Sequence, residues 1–295
     1  MKVIITGGSG FVGVNLQDYL KTSYVLQSIS VRYLPNQQFD LNSGAIIHLA
    51  GKAHDLKKVS NPQDYYEANF KLTKQLFDAF LISEALVFIF MSTVKAVADE
   101  VKDILDEDGI PNPKTHYGIA KHQAEEYMLS KEIPKSKRVY ILRPCMIHGP
   151  NNKGNLNLLY SFVSKGIPYP FGKYVNRRSF VSIDNLCFII NELIDNAKIE
   201  SGVYNIADDT SLSTIDLVEL MSEILNKQVK ILNIPKLFVQ LLAKVGDVIP
   251  IPINSERLQK LTENYEVSNL KIKKAIQKEL PLSAKEGIRK TIASF

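Results

Sequence analysis

The sequence predicts a doubly wound α/β fold, a parallel sheet covered by helices on both faces, and three observations carry that prediction. Short apolar runs recur at residues 2–6, 24–31, 45–50, 87–92 and 139–143, with helix-period patterns between most of them. A glycine-rich turn follows the first run and opens the first helix. The composition is that of an ordinary globular chain, with 45% hydrophobic and 23% charged residues over 295 positions, enough to bury a substantial core.

The first run, Lys2-Val3-Ile4-Ile5-Thr6, is apolar on both faces and reads as a buried parallel strand. Behind it, Thr6-Gly7-Gly8-Ser9-Gly10-Phe11-Val12-Gly13 places glycine at 7, 10 and 13. Glycines there permit a tight turn and close backbone approach to a pyrophosphate, which the amino end of the next helix attracts with its unpaired N–H groups. That helix shows a core-facing stripe at Val12, Leu16, Tyr19 and Leu20, and a later one at Ala68, Leu72, Leu76, Ala79 and Phe80. Gly7, Gly10, Phe11, Val12 and Gly13 are therefore the candidate dinucleotide contacts. After the second run the chain reads Ser30-Val31-Arg32, with Arg32 where an NAD site usually carries an acid. A guanidinium can pair with a ribose 2′-phosphate, which favours NADP over NAD. Asp40 and Leu41 follow in a short connection and are placed beside the adenine.

From about residue 149 the texture turns rich in Pro and Gly, at Gly149-Pro150-Asn151-Asn152 and again over residues 166–172. The expected organisation is a cofactor domain over 1–150 and a smaller substrate subdomain over 151–295, with part of 173–206 returning to the first. Ser213 and Asp216 form a capping-box pattern ahead of a helix whose Leu217, Leu220, Met221, Ile224 and Leu225 share a face. A second apolar helix runs through Leu237, Phe238, Leu241, Leu242 and Val245, and its stripe is expected to face a core.

The formal net charge is +5, and small basic groups such as Lys135-Ser136-Lys137-Arg138 are scattered as solvated faces, so nucleic acid is not an expected partner. Two cysteines, Cys145 and Cys187, lack metal or disulfide spacing, which points to a reducing cytoplasm. No apolar run has the length of a signal or a membrane span, so no membrane insertion is expected.

Taken with the glycine turn, His48-Leu49-Ala50-Gly51, Asn69, Ser92-Thr93, Tyr117-Gly118-Ile119-Ala120-Lys121 and Leu142-Arg143-Pro144 make the chain resemble the extended short-chain dehydrogenase/reductases over nearly its whole length. That is the Rossmann-like family of sugar-nucleotide epimerases, dehydratases and 4-keto reductases. The resemblance implies that Thr93, Tyr117 and Lys121 are the catalytic set, with Tyr117 as general acid/base. Tyr117 and Lys121, at i and i+4, project from one helix face. A cation about 4 Å from the phenol would lower its pKa by up to about three units. Leu49, Ala50, Gly51 and Pro144 would line the cofactor together with Tyr117 and Lys121. The stretch from Asn176 to Leu186 resembles the segment whose arginine clamps a nucleotide diphosphate, which implicates Arg178, with Arg177 as the alternative. Asn155 and Thr93 would complete the substrate contacts. Dehydratases of the family carry an Asp-Glu pair after the Thr, where this chain has Val94-Lys95. The texture around Thr93 and Tyr204 resembles bacterial polysaccharide enzymes acting at carbon 4 of UDP-N-acetylhexosamines. Arg32 tilts the expectation to a 4-keto reductase, with a 4-epimerase as the alternative and a non-catalytic dinucleotide sensor as a more distant one. The family also implies a possible homodimer and no metal.

Overall fold

The order in which the chain fills its sheet opens a crevice at one edge. In a computed structural model, which describes residues 1–53, 61–152, 155–249 and 254–295, β1 (Lys2–Thr6) leads to α1 (Phe11–Leu20), β2 (Val25–Ile29) and β3 (Ala45–His48). There follow α2 (Pro62–Tyr66), a π-helical turn (Glu67–Lys71), α3 (Leu72–Ile82), β4 (Val87–Met91) and a 3₁₀ turn (Val94–Ala96). The chain continues through β5 (Ile104–Leu105), α4 (His116–Leu129), β6 (Arg138–Pro144), β7 (Met146–His148), α5 (Asn155–Ser164), β8 (Phe180–Ser182), α6 (Ile183–Asp195) and β9 (Gly202–Ile206). Last come α7 (Thr214–Ile224), α8 (Lys236–Gly246), α9 (Ser255–Thr262), β10 (Glu266–Val267), α10 (Leu270–Ile276) and α11 (Ala284–Ile292).

The main sheet has six parallel strands in the order β2-β1-β3-β4-β6-β9. β3 and β4 are buried along their whole length, which is why they read as continuous apolar runs rather than alternating ones. β2 lies at the edge and leaves Val25 69% exposed. From β1 the chain turns to β2 on one side and then crosses to β3 on the other, so the carboxyl ends of β1 and β3 flank the switch point where ligands of such sheets bind. The crossing segment, residues 30–44, forms neither helix nor strand; Leu41 and Ser43 anchor it by burial.

β9, a strand absent from the five apolar runs, pairs with the outer side of β6 from Tyr140↔Gly202 to Pro144↔Ile206. α6 buries Ile189, Ile190, Leu193 and Ile194 in the same core as Tyr204 and Ile206 of β9. Arg138 is not a solvated basic residue as its surroundings in sequence implied. Its guanidinium donates to the carbonyls of Leu193, Ile194 and Asn196 at 3.0, 3.0 and 2.9 Å, satisfying the carboxyl end of α6.

Residues of α5, α7, α9 and α11, with Tyr169 and Phe171, form a second core. Two small parallel ladders stand apart from the main sheet, β7 with β8 and β5 with β10; Leu105 and Val267 of the second bury into the first core. The capping box at Ser213 and Asp216 is formed, and α7 buries Leu217, Leu220 and Met221 as its stripe requires. The stripe of α8 does the opposite of what was expected. Leu237, Phe238, Leu241, Leu242 and Val245 are all exposed, while the helix docks through Val239 and Ala243. Periodicity locates an apolar face but cannot say what it meets.

Candidate active site

Gly7 leaves β1 with φ of +70°, and a Cβ there would stand 2.7 Å from the Ala50 backbone nitrogen. At Gly13 a Cβ would fall 2.4 Å from Gly7 O and 2.6 Å from Gly8 Cα, so the first turn of α1 presses on the loop it grows from. Gln17 Nε2 staples that turn, donating to Gly8 O at 2.8 Å and Gly13 O at 3.0 Å. Gly10 begins α1 without a side-chain cap, which leaves the amino-end N–H groups free to meet an anion. Phe11 and Val12 are half-buried beside it.

Behind the loop, Thr6 Oγ1 accepts from Ala50 N at 3.2 Å and lies 2.7 Å from His48 Nδ1. The Thr73 hydroxyl donates to Asn69 O at 2.8 Å, so it accepts from His48 Nε2 at 3.0 Å, and Nδ1 is left to accept from Thr6. Burial, and secondarily the charge of Lys121, pushes His48 down to about 3 and holds it neutral. Asn69, fully buried in the π-helical turn, grips the next segment: its Oδ1 accepts from Lys52 N and its Nδ2 donates to Lys52 O, both at 3.0 Å. Leu49, Ala50 and Gly51 are thereby fixed over the carboxyl end of β3, and a Cβ on Gly51 would sit 3.3 Å from Lys121 Nζ.

Thr93 follows β4, and α4 is packed hard against it: a Cβ on Gly118 would lie 2.4 Å from Lys95 O. The Thr115 hydroxyl caps α4 by accepting from Gly118 N at 3.1 Å. This contact brings the Tyr117 phenol into the neighbourhood of the Thr93 hydroxyl, near enough to act on its pKa. The expected lowering of the Tyr117 pKa is overturned. Burial raises it to about 12, with the nearby Thr93 hydroxyl opposing the shift and the Glu125 charge adding to it. Sharing a helix face is not contact; the lysine tail reaches inward, donating to Met91 O at 2.7 Å with Nζ 4.5 Å from the centre of the Phe90 ring. Burial lowers Lys121 itself to about 7, with Glu125 opposing the shift.

That value has a consequence for stability. A folded lysine at about 7, against 10.5 for the unfolded chain, means that the unfolded state binds more protons between those values. This group therefore makes the ligand-free protein gain stability as pH rises through that window, by at most roughly 1.4 kcal/mol per pH unit. Denaturant unfolding at neutral and mildly alkaline pH should show the rise in the native chain and a flattened one in Lys121→Met. Equal slopes would place the titration elsewhere.

One turn beyond Lys121, Glu125 is 1% exposed and takes a two-pronged bond from Arg143, with Nε at 3.0 Å and Nη2 at 2.6 Å from Oε2. The Ser92 hydroxyl donates to Oε1. This buried triad ties α4 to β4 and β6 directly beneath Thr93 and Lys121, and residue-by-residue reading missed it. Its signal was the i, i+4, i+8 series Tyr117, Lys121, Glu125.

Across the crevice, Arg178 is anchored through its backbone to Leu212, and its side chain, 18% exposed, lies 3.4 Å from Glu263. The alternative, Arg177, points away: its guanidinium donates to the Ser211 side chain and carbonyl at 2.9 and 3.1 Å. Lys95, lowered by burial despite nearby Glu263 and Asp99, feels the charge of Arg178 and donates to Asp99 O at 2.6 Å. Cys145, after buried Pro144, is raised by burial and also lies within the electrostatic reach of Arg178. Arg178 therefore shares one neighbourhood with the turn that follows Thr93. Arg32 and Asp40 are exposed at the β2 side, Asp40 accepting from Asn42 N at 3.2 Å, whereas the Leu41 side chain is 2% exposed and packs in the core. Asn155 begins α5, and its side chain lies outside the described residues.

The NAD dependent epimerase/dehydratase family matches residues 3–207 of the chain. A UDP-glucose 4-epimerase of Vibrio cholerae is 30% identical over 323 aligned positions, spanning 99% of this chain and 95% of the relative. A GDP-6-deoxy-D-mannose reductase of Pseudomonas aeruginosa is 26% identical, spanning 79% of this chain and 83% of the relative. The solved structure of RMD from Pseudomonas aeruginosa complexed with NADPH superposes with a TM-score of 0.75 at 21% identity, covering 99% of this chain and 98% of the other.

Proposed function

Since the chain belongs to the NAD dependent epimerase/dehydratase family, we propose that it works at carbon 4 of a UDP-linked N-acetylhexosamine in surface polysaccharide synthesis, as a 4-keto reductase. The observation that carries this reading is the meeting of Thr93 and Tyr117, with Lys121 inward of them, at the carboxyl edge of the sheet and within reach of the Arg178 neighbourhood. A dinucleotide fits the residues present: Gly7 and Gly13 let the loop fold tightly against the backbone of residues 49–50 and of α1, where any side chain would clash, and the start of α1 is uncapped. When bound there, it supplies the hydride. Gly7, Gly10 and Gly13 would hold its pyrophosphate, and Leu49 to Gly51 with Pro144 would flank it. Arg32 favours a 2′-phosphate and hence NADP.

The chain's own residues handle the proton and the substrate. A phenol keeps its hydroxyl proton at neutral pH, so Tyr117 would donate it to a carbonyl oxygen, the role that reduction requires. Thr93 holds that oxygen in line, and Lys121 sets the local charge from beneath. Arg178 would meet the diphosphate, displacing Glu263, in a subdomain drawn mainly from residues 151–295. Both cysteines are free and buried, which supports a reducing cytoplasm.

A second reading, 4-epimerisation, is favoured by the likeness to the Vibrio cholerae enzyme along almost the whole chain. An epimerase returns the hydride to the opposite face and consumes no reductant. Purified protein given NADPH and a UDP-4-keto-6-deoxy-N-acetylhexosamine should consume NADPH stoichiometrically. Flat absorbance, with UDP-N-acetylglucosamine and its 4-epimer interconverting without added cofactor, would replace reduction by epimerisation.

A further inference from the structure

We propose that α8 docks on the surface of an anionic lipid bilayer. Its apolar stripe is turned out to solvent: Leu237 and Phe238 are each 65% exposed, Leu241 53%, Leu242 52% and Val245 47%. Val248 and Ile249, at 86% and 54%, prolong the stripe past the helix. Spaced i, i+1, i+4, i+5 and i+8, these side chains form one continuous face, and contiguous apolar faces of this kind on soluble molecules mark interaction sites. An amphipathic helix that docked only for its own stability would have turned this face inward. It instead anchors through the two buried positions Val239 and Ala243, which leaves the larger side chains free.

The charge around the face selects the occupant. Residues 226–249 carry Lys227, Lys230, Lys236 and Lys244 against one acid, Asp247. Ser255 N and Oγ donate to that acid at 2.9 and 2.6 Å and hold it ionised, which leaves the lysines in excess over this stretch. All four lysines are exposed, with Lys236 starting α8 and Lys244 in its last turn. Leucine and phenylalanine on one side with lysines at the flanks is the pattern of a helix lying in a membrane interface, where the lysine stems extend to anionic headgroups. A second copy would bring the same lysines face to face, which disfavours self-pairing. At 11 residues α8 is too short to cross a bilayer, and no helix among the described residues is long and apolar enough to do so; the contact is with the surface. α8 packs on α9, and Glu263, next after α9, pairs with Arg178, so attachment would hold the Arg178 side of the crevice close to the headgroups.

Flotation or co-sedimentation of the whole chain with vesicles tests the proposal. The native protein should bind phosphatidylcholine vesicles containing phosphatidylglycerol roughly tenfold more strongly than pure phosphatidylcholine, and lose that preference in high salt. The double variant Phe238→Asp/Leu242→Asp should lose vesicle binding while its melting temperature stays at the native value. Because the chain has no tryptophan, Phe238→Trp provides a second readout that needs no disruptive change: its emission should shift to the blue with anionic vesicles. Native protein left in the supernatant, an acidic double variant that still binds, or an unshifted Trp emission would each overturn the assignment. So would a dimer in solution that the double variant dissociates.

Discussion

Tyr117→Phe should lower kcat by about a thousandfold while changing dinucleotide affinity by less than about twofold. The substitution removes one oxygen from a ring whose packing against the turn after Thr93 is set by Gly118, and Lys121 keeps its bond to Met91 O because that bond does not pass through the phenol. Steady-state kinetics with calorimetric titration of the cofactor separates the two quantities. A fall in kcat of less than tenfold would remove Tyr117 from proton transfer. A parallel loss of cofactor affinity would make it a binding residue instead.

Arg143→Ala should destabilise the fold by roughly 3–5 kcal/mol, the range for breaking a buried ion pair by removing one partner. The change strips Glu125, 1% exposed, of all three guanidinium bonds and leaves it with the Ser92 hydroxyl. Most of the loss is the cost of a buried carboxylate without a counter-ion, so the further change Glu125→Gln in the same chain should recover part of it. Equilibrium denaturation of the native chain and of the single and double variants measures this directly. If the double variant is as unstable as the sum of the two single ones, the pair is uncoupled and the account fails.

The cofactor-side strands were legible because parallel strands buried on both faces appear as uninterrupted apolar runs, and β1 spans the residues expected of it. The ends of the others moved by one or two residues, where ladder pairing rather than hydrophobicity decides. β9 escaped because Gly202-Val203-Tyr204-Asn205-Ile206 is only partly apolar; what makes it a strand is β6 alongside. Thr93, Tyr117 and Lys121 could be named in advance from their pattern, but not the direction in which the Lys121 tail runs, since i and i+4 spacing fixes where side chains start and not where they end. The same limit hid Glu125 and Arg143, separated by 18 residues and joined only when β6 lies beside β4. In α8 the apolar stripe was plain and its orientation was not, because the sequence of a helix holds no record of which side its neighbours occupy.

The placement of β9 outside β6 also governs how the molecule may be cut. A fragment ending near residue 150 would hold five of the six sheet strands but bare the flank of β6 from Tyr140 to Pro144, a row of open N–H and C=O groups that β9 normally pairs. Such flanks template intermolecular strand addition. The complementary fragment would carry β9 and α6 with nothing to pair against. The two lobes are therefore not separable beads, and split-reporter or independent-expression schemes that break the chain at its Pro- and Gly-rich turn should give aggregates, whereas a break beyond Ile206 leaves the whole sheet on one piece.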